Sequence, residues 1–346
     1  MNNDFNFQNE PQYEIIMSES ERKGHKKIFS KICFAFFMYL VSCEVCSFAF
    51  GYILRALAPS LLRSADFVIL LNSVIQYLIA FPVLCLFLRS IPKQEPMSNS
   101  IGMKMMWKYL VVCMMFIYIG SDISSTIMTT IQQLLGRVPE NSVNVLLDNT
   151  NIYLSVLIVG LIGPIFEELT FRKLFIDRLM PYGEKVAILL PAFMFGLFHG
   201  NLYQFFYAFL NGIVFSYIYV KTGKIIYTIA LHMFVNLFCG VLPTLIGSMI
   251  NLDDLMQTVM AGTLSEEYIL ANLLPLFLFL IYSYGMLAMV VVGIVVFFKN
   301  LRKITVNKGE VIFPKGTAAD TIFFNPGAIL LIAVCFLLMA LNTFSV

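Results

Sequence analysis

Charge is what this sequence lacks. Of its 346 residues only 13% are charged, whereas 59% are hydrophobic. A soluble domain carries about 25% charged residues, so a soluble globular fold is excluded. The net charge of +2 says nothing about nucleic acid, because the charges sit in the connecting loops, and no nucleic-acid partner is expected. Histidine is scarce, at three residues. The HExxH helix of soluble zinc proteases is missing. The seven cysteines (Cys33, Cys43, Cys46, Cys85, Cys113, Cys239 and Cys335) all sit in apolar runs. They read as small buried hydrophobes and imply no disulfide framework. The first 31 residues are polar, with no early apolar core and no cleavage signature, so no secretory signal is expected there. Internal repeats and low-complexity tracts are missing too.

What the chain has in abundance is apolar runs longer than the roughly 18 residues that cross hydrocarbon. The expected fold class is all-α, a polytopic transmembrane helical bundle of eight to nine spans. Nine limits are predicted: 32–54, 66–88, 109–135, 151–178, 186–199, 202–220, 225–248, 268–298 and 327–344. They group into a cytoplasmic polar tail (1–31), three N-terminal spans (32–149), a central core (150–248) and C-terminal spans (249–346). All of the 23 lysines and arginines except Arg55, Arg63 and Arg137 then fall on one side. The positive-inside rule makes that side cytoplasmic. The expectation is an integral, multi-pass membrane protein with its N-terminus inside and its C-terminus outside.

Against this background "GPIFEELTFRKLF", residues 163–175, stands out. Glu167, Glu168 and Arg172 fall inside an apolar run, where an ionisable residue costs several kcal/mol. Two of the three histidines, His199 and His232, are also within spans, and Asn236 follows His232 by four residues. At 1.5 Å per helical residue, Glu167 lies roughly 16 Å, His199 roughly 21 Å, His232 roughly 12 Å and Asn236 roughly 18 Å from the basic side. Three helices thus bring polar groups to one layer of the bilayer. Glu168 and Arg172 have the i, i+4 spacing of an ion pair. Glu167 points about 100° away and is left for chemistry. Pro164 cannot donate to a preceding carbonyl, so a kink is expected beside it. Glu44 and Asp122 are further intramembrane acids, read as packing or substrate-groove residues.

Three motifs emerge in order: EExxxR in "EELTFR" (Glu167–Arg172), FxxxH in "FGLFH" (Phe195–His199) and HxxxN in "HMFVN" (His232–Asn236). On successive apolar helices, this set resembles the CAAX-protease and bacteriocin-processing (Abi) family of intramembrane endopeptidases over roughly residues 150–245. The resemblance implies that Glu167 and His199 activate water, that His232 and Asn236 polarise the scissile carbonyl, and that Glu168, Arg172 and Phe195 support the site. Its implied partners are the lipid bilayer and a peptide or protein substrate, with a lipidated tail, a leader and a pheromone peptide as candidates. Two mechanisms stay open. In one, a zinc ion is held by His199, His232 and Glu167; in the other, a glutamate works without metal. No serine or cysteine accompanies a histidine in the motifs, so no acyl-enzyme is expected. Two other functions compete: an ion-coupled transporter using the same polar groups as a proton relay, and a non-catalytic immunity or scaffold protein of the same fold.

Overall fold

The computed structural model describes residues 17–137, 141–250, 252–263 and 265–344. Within them the chain forms helices and no strands. Seven helices are long and apolar enough to cross a membrane: α1 (Glu19–Leu57), α2 (Ala65–Leu88), α3 (Met103–Leu134), α4 (Ile152–Tyr182), α7 (Ile225–Met249), α8 (Leu273–Leu301) and α9 (Pro326–Phe344). Between α4 and α7 lie α5 (Glu184–Phe198) and α6 (Leu202–Thr222). With 15 residues, α5 is too short to cross alone. Gln204, Asn211 and Ser216 interrupt the apolar run of α6. The two form a hairpin, entered and left at the same end of the bundle. Its tip is made by His199, Gly200 and Asn201. Gly200 has φ +64°, a left-handed conformation that glycine adopts without strain and that ends α5.

Among the described residues seven helices qualify as spans where eight to nine were expected, since the expected fifth and sixth form the hairpin, and several boundaries shift, among them the start of the third span at Met103 and not 109. The polar segment before residue 32 is not a tail along its whole length. From Glu19 onward it is the first turns of α1, because Ser18 and Glu21 form a capping box that satisfies the end of the helix. Residues 1–16 lie outside the described residues. The eighth span starts at Leu273, not 268, since Glu266–Ala271 is a separate short helix with its own Ser265 cap.

The loops rich in lysine and arginine gather at one end. Gln94 N–H donates to Asp177 O at 2.7 Å, Asn99 N–H to Thr222 O at 2.8 Å and Val311 N–H to Pro181 O at 2.9 Å. Lys26 reaches Asp320 at 2.9 Å. Glu95 bridges Lys93 and Lys173, each at 2.9 Å. Hydrogen bonds from these lysines, Lys173 first, draw its carboxyl down to about 2, so it stays charged at any physiological pH. The opposite end is tied by Asn151 N–H donating to Asp66 at 2.6 Å and by Asn342 donating to Gly200 O at 2.8 Å.

Lipid offers no hydrophobic drive for helix association, so close packing must supply it. Gly212 of α6 lies so near α5 that a side chain there would meet the Ala192 backbone at 3.0 Å. Around the hairpin, Phe36 of α1 meets Phe175 at 4.5 Å and Phe198 at 5.6 Å between ring centres. This aromatic cluster anchors α4 and α5, the two helices that carry Glu167 and His199.

Candidate active site

The local backbone of α4 follows from its proline. Over Val156–Ile162 the helix widens into π turns, and Gly163 N–H donates to Ile158 O, five residues back. In that register the next acceptor would be Val159 O, but residue 164 is proline and has no N–H. The side chain of Asn236 on α7 fills the gap, donating Nδ2–H to Val159 O at 2.9 Å. The expected kink is thus taken up as a wide turn held by a side chain from another helix. Wide turns ahead of a proline recur in α2, where π turns over Ile75–Ala80 precede Pro82, and in α7, where Leu237–Val241 precede Pro243. Because one N–H of Asn236 is committed to the backbone, Asn236→Ala is expected to lower stability by about 0.5–2 kcal/mol, the range for interhelical hydrogen bonds in membranes. Thermal unfolding in detergent measures this. An unchanged midpoint would mean that Val159 O has another donor.

Below the wide turn, the two glutamates diverge as their spacing predicts. Glu168 is fully buried, with Oε2 3.0 Å from Nε of the equally buried Arg172. Its other oxygen, Oε1, lies 2.9 Å from His232 Nδ1. The Glu167 side chain is 25% exposed and turns toward a cavity. Its Oε2 is 3.5 Å from His232 Nε2. The run Arg172, Glu168, His232, Glu167 is therefore continuous. A carboxylate accepting at Nδ1 keeps a proton there and presents Nε2 to Glu167.

His199 shows the same orientation. Its Nδ1 is 2.8 Å from Phe195 O, so it donates there and Nε2 is left over. Phe195 does more than lend its carbonyl. Its ring lies 4.8 Å from the Arg172 guanidinium and edge-on to both His199 and His232, at 4.9 and 5.7 Å. The terminal nitrogens of Arg172 have no hydrogen-bond acceptor among the described residues. They face Phe195 on one side and Phe215 on the other, at 5.5 Å, an aromatic environment that stabilises a desolvated cation. Glu167, His199, His232 and Asn236 all line one cavity. Glu44 lines it too, whereas Asp122 does not and is exposed.

With that geometry in view, comparison with known proteins is specific. Residues 149–238 match a family described as Type II CAAX prenyl endopeptidase Rce1-like. This central segment is similar to the CAAX-protease family. A Bacillus subtilis (strain 168) protein described as "Putative membrane peptidase YdiL" is 29% identical over 174 residues, covering 48% of this chain and 68% of that one. No solved structure matches.

The Rce1-like segment contains every motif residue singled out above. Its histidines have the outer hydrogen bonds that orient metal ligands, Nδ1 to a carboxylate or carbonyl with Nε2 free. Among the described residues no group of three His, Cys, Asp or Glu side chains is placed to hold a metal ion as the side chains stand. Sequence reasoning also missed parts of this Rce1-like core. Phe215, tilted against His232 at 5.2 Å, sits in no motif. Tyr77 of α2 stacks on Phe166 at 4.4 Å and lines the cavity, and only the tertiary fold brings it there.

Proposed function

We propose that the chain is an intramembrane endopeptidase that hydrolyses a peptide bond in a membrane-associated peptide or protein, with Glu167 and His199 activating water. The observation that supports this is the continuous run from Arg172 through Glu168 and His232 to Glu167 along a cavity that His199 also lines. Water adds to the scissile carbonyl carbon, and its proton passes to Glu167, the exposed carboxylate of the pair. His199 offers Nε2 to the same water. His232 is held by Glu168 at Nδ1, as the aspartate holds the histidine of a catalytic triad. Its Nε2 edge is turned to the cavity and contributes to polarising the scissile carbonyl, together with the Asn236 N–H not used by Val159. When the C–N bond breaks, the proton held by Glu167 goes to the leaving amine. No step uses a metal, so cleavage by purified protein is expected to survive dialysis against a chelator. Loss of activity that zinc restores would overturn this part of the account.

The reading includes an orientation in the bilayer, with the basic end and the N-terminus in the cytoplasm. Reporter fusions after residues 60, 145 and 255 and at the C-terminus are expected to lie outside, and a fusion after residue 100 inside. The same side for the fusions at 100 and 145 would contradict the passage of α3.

A further inference from the structure

The cavity has a volume of about 1080 Å³, at the upper end of ligand pockets, which run from about 300 to 1,000 Å³. Its exposed rim residues include Asn144 and Asp148, between α3 and α4, and Leu341 and Asn342, in the last turns of α9. Both segments lie at the end of the bundle away from the basic loops. Helix α3 leaves the basic end at Lys104 and Lys108 and reaches Leu134 before the rim begins. Helix α9 starts with Gly327 N–H donating to Ser30 at 3.0 Å, beside Lys26, Lys27 and Lys31. Asn342 follows about 22 Å further on. Toward the basic end Arg172, Phe175, Ile176 and Leu179 of α4 have no exposure, and a separate cavity of about 500 Å³ lies there, lined by Arg89, Lys173 and Asp177 among others. Among the described residues the cavity lining includes Glu44, Asp148 and Glu167 but no lysine or arginine.

Resting on the peptidase reading, we infer that the substrate is a peptide segment presented at the face poor in lysine and arginine, with basic residues flanking the bond that is cut. An acid-lined cleft with low-dielectric walls concentrates cationic ligands and repels acidic ones. A substrate confined to the basic face would have to pass the buried side chains of Arg172, Phe175, Ile176 and Leu179 to reach Glu167.

Sealed vesicles of either orientation, given membrane-impermeant fluorogenic peptides with Lys/Arg or with Asp/Glu flanks, test this. Vesicles exposing the Lys/Arg-poor face are expected to cleave directly, and those exposing the basic face only after detergent is added. In detergent, kcat/KM is expected to favour the basic peptide by about tenfold or more. Asp148→Lys is expected to reverse part of that preference through KM; its exposed position lets the variant fold. Cleavage by sealed vesicles exposing only the basic face would overturn the inference, as would a preference that Asp148→Lys leaves unchanged. In both cases the peptidase reading would stand. Absence of cleavage of either peptide in detergent would overturn the peptidase reading and the inference with it.

Discussion

Glu167→Gln is expected to slow peptide cleavage by about 10²–10⁴, the usual contribution of a general base, while the protein stays folded. The change keeps the size of the side chain and its place in the cavity wall but removes the basic oxygen. It leaves intact the buried Arg172–Glu168–His232 contacts at 3.0 and 2.9 Å, so thermal unfolding in detergent should match the wild type. Because Glu167 is partly exposed and Glu168 fully buried, loss of cleavage without loss of stability in Glu167→Gln separates chemistry from support. A folded Glu167→Gln protein that cleaves at the wild-type rate would end the assignment of Glu167 as the base.

Arg172→Ala is expected to destabilise the protein by about 3–5 kcal/mol, because it leaves Glu168 as an uncompensated buried charge. The aromatic faces of Phe195 and Phe215, now against the guanidinium, would border a cavity. Removing both charges together, with Glu168→Gln and Arg172→Met, should recover much of the stability, since a neutral buried pair has a smaller desolvation penalty. It should not recover cleavage, because the neutral amide that replaces the Glu168 carboxylate no longer gives His232 Nδ1 the carboxylate acceptor that orients its ring. Unfolding midpoints in detergent, read beside cleavage rates, test both parts. An Arg172→Ala protein of normal stability without activity would assign Arg172 to the chemistry itself.

The Glu168–Arg172 pair was legible in the sequence because it depends only on spacing along one helix. So were the apolar runs and the gathering of basic loops at one end, since each follows from composition along the chain. Contacts between helices were legible only as agreement in depth. That sufficed to bring Glu167, His199, His232 and Asn236 to one cavity, but not to assign partners within it. The second role of Glu168, holding His232 Nδ1, depends on helix rotation and separation, which depth does not give. The bond from Asn236 to Val159 O could not be foreseen without the π register that Pro164 imposes. The early start of α1 was missed for a different reason. Polarity over residues 17–31 outweighed a Ser18–Glu21 capping box that the sequence did contain.

The central claim is that water, activated at Glu167, is the nucleophile that cuts a peptide bond. Its most direct test is to incubate membranes bearing the wild type or Glu167→Gln in ¹⁸O-labelled water and map new protein and peptide termini by mass spectrometry. The account predicts fragments made only by the wild type, each with ¹⁸O in its new C-terminal carboxyl. Equal yields of those fragments from the variant, no fragments from the wild type, or wild-type fragments without the label would contradict it.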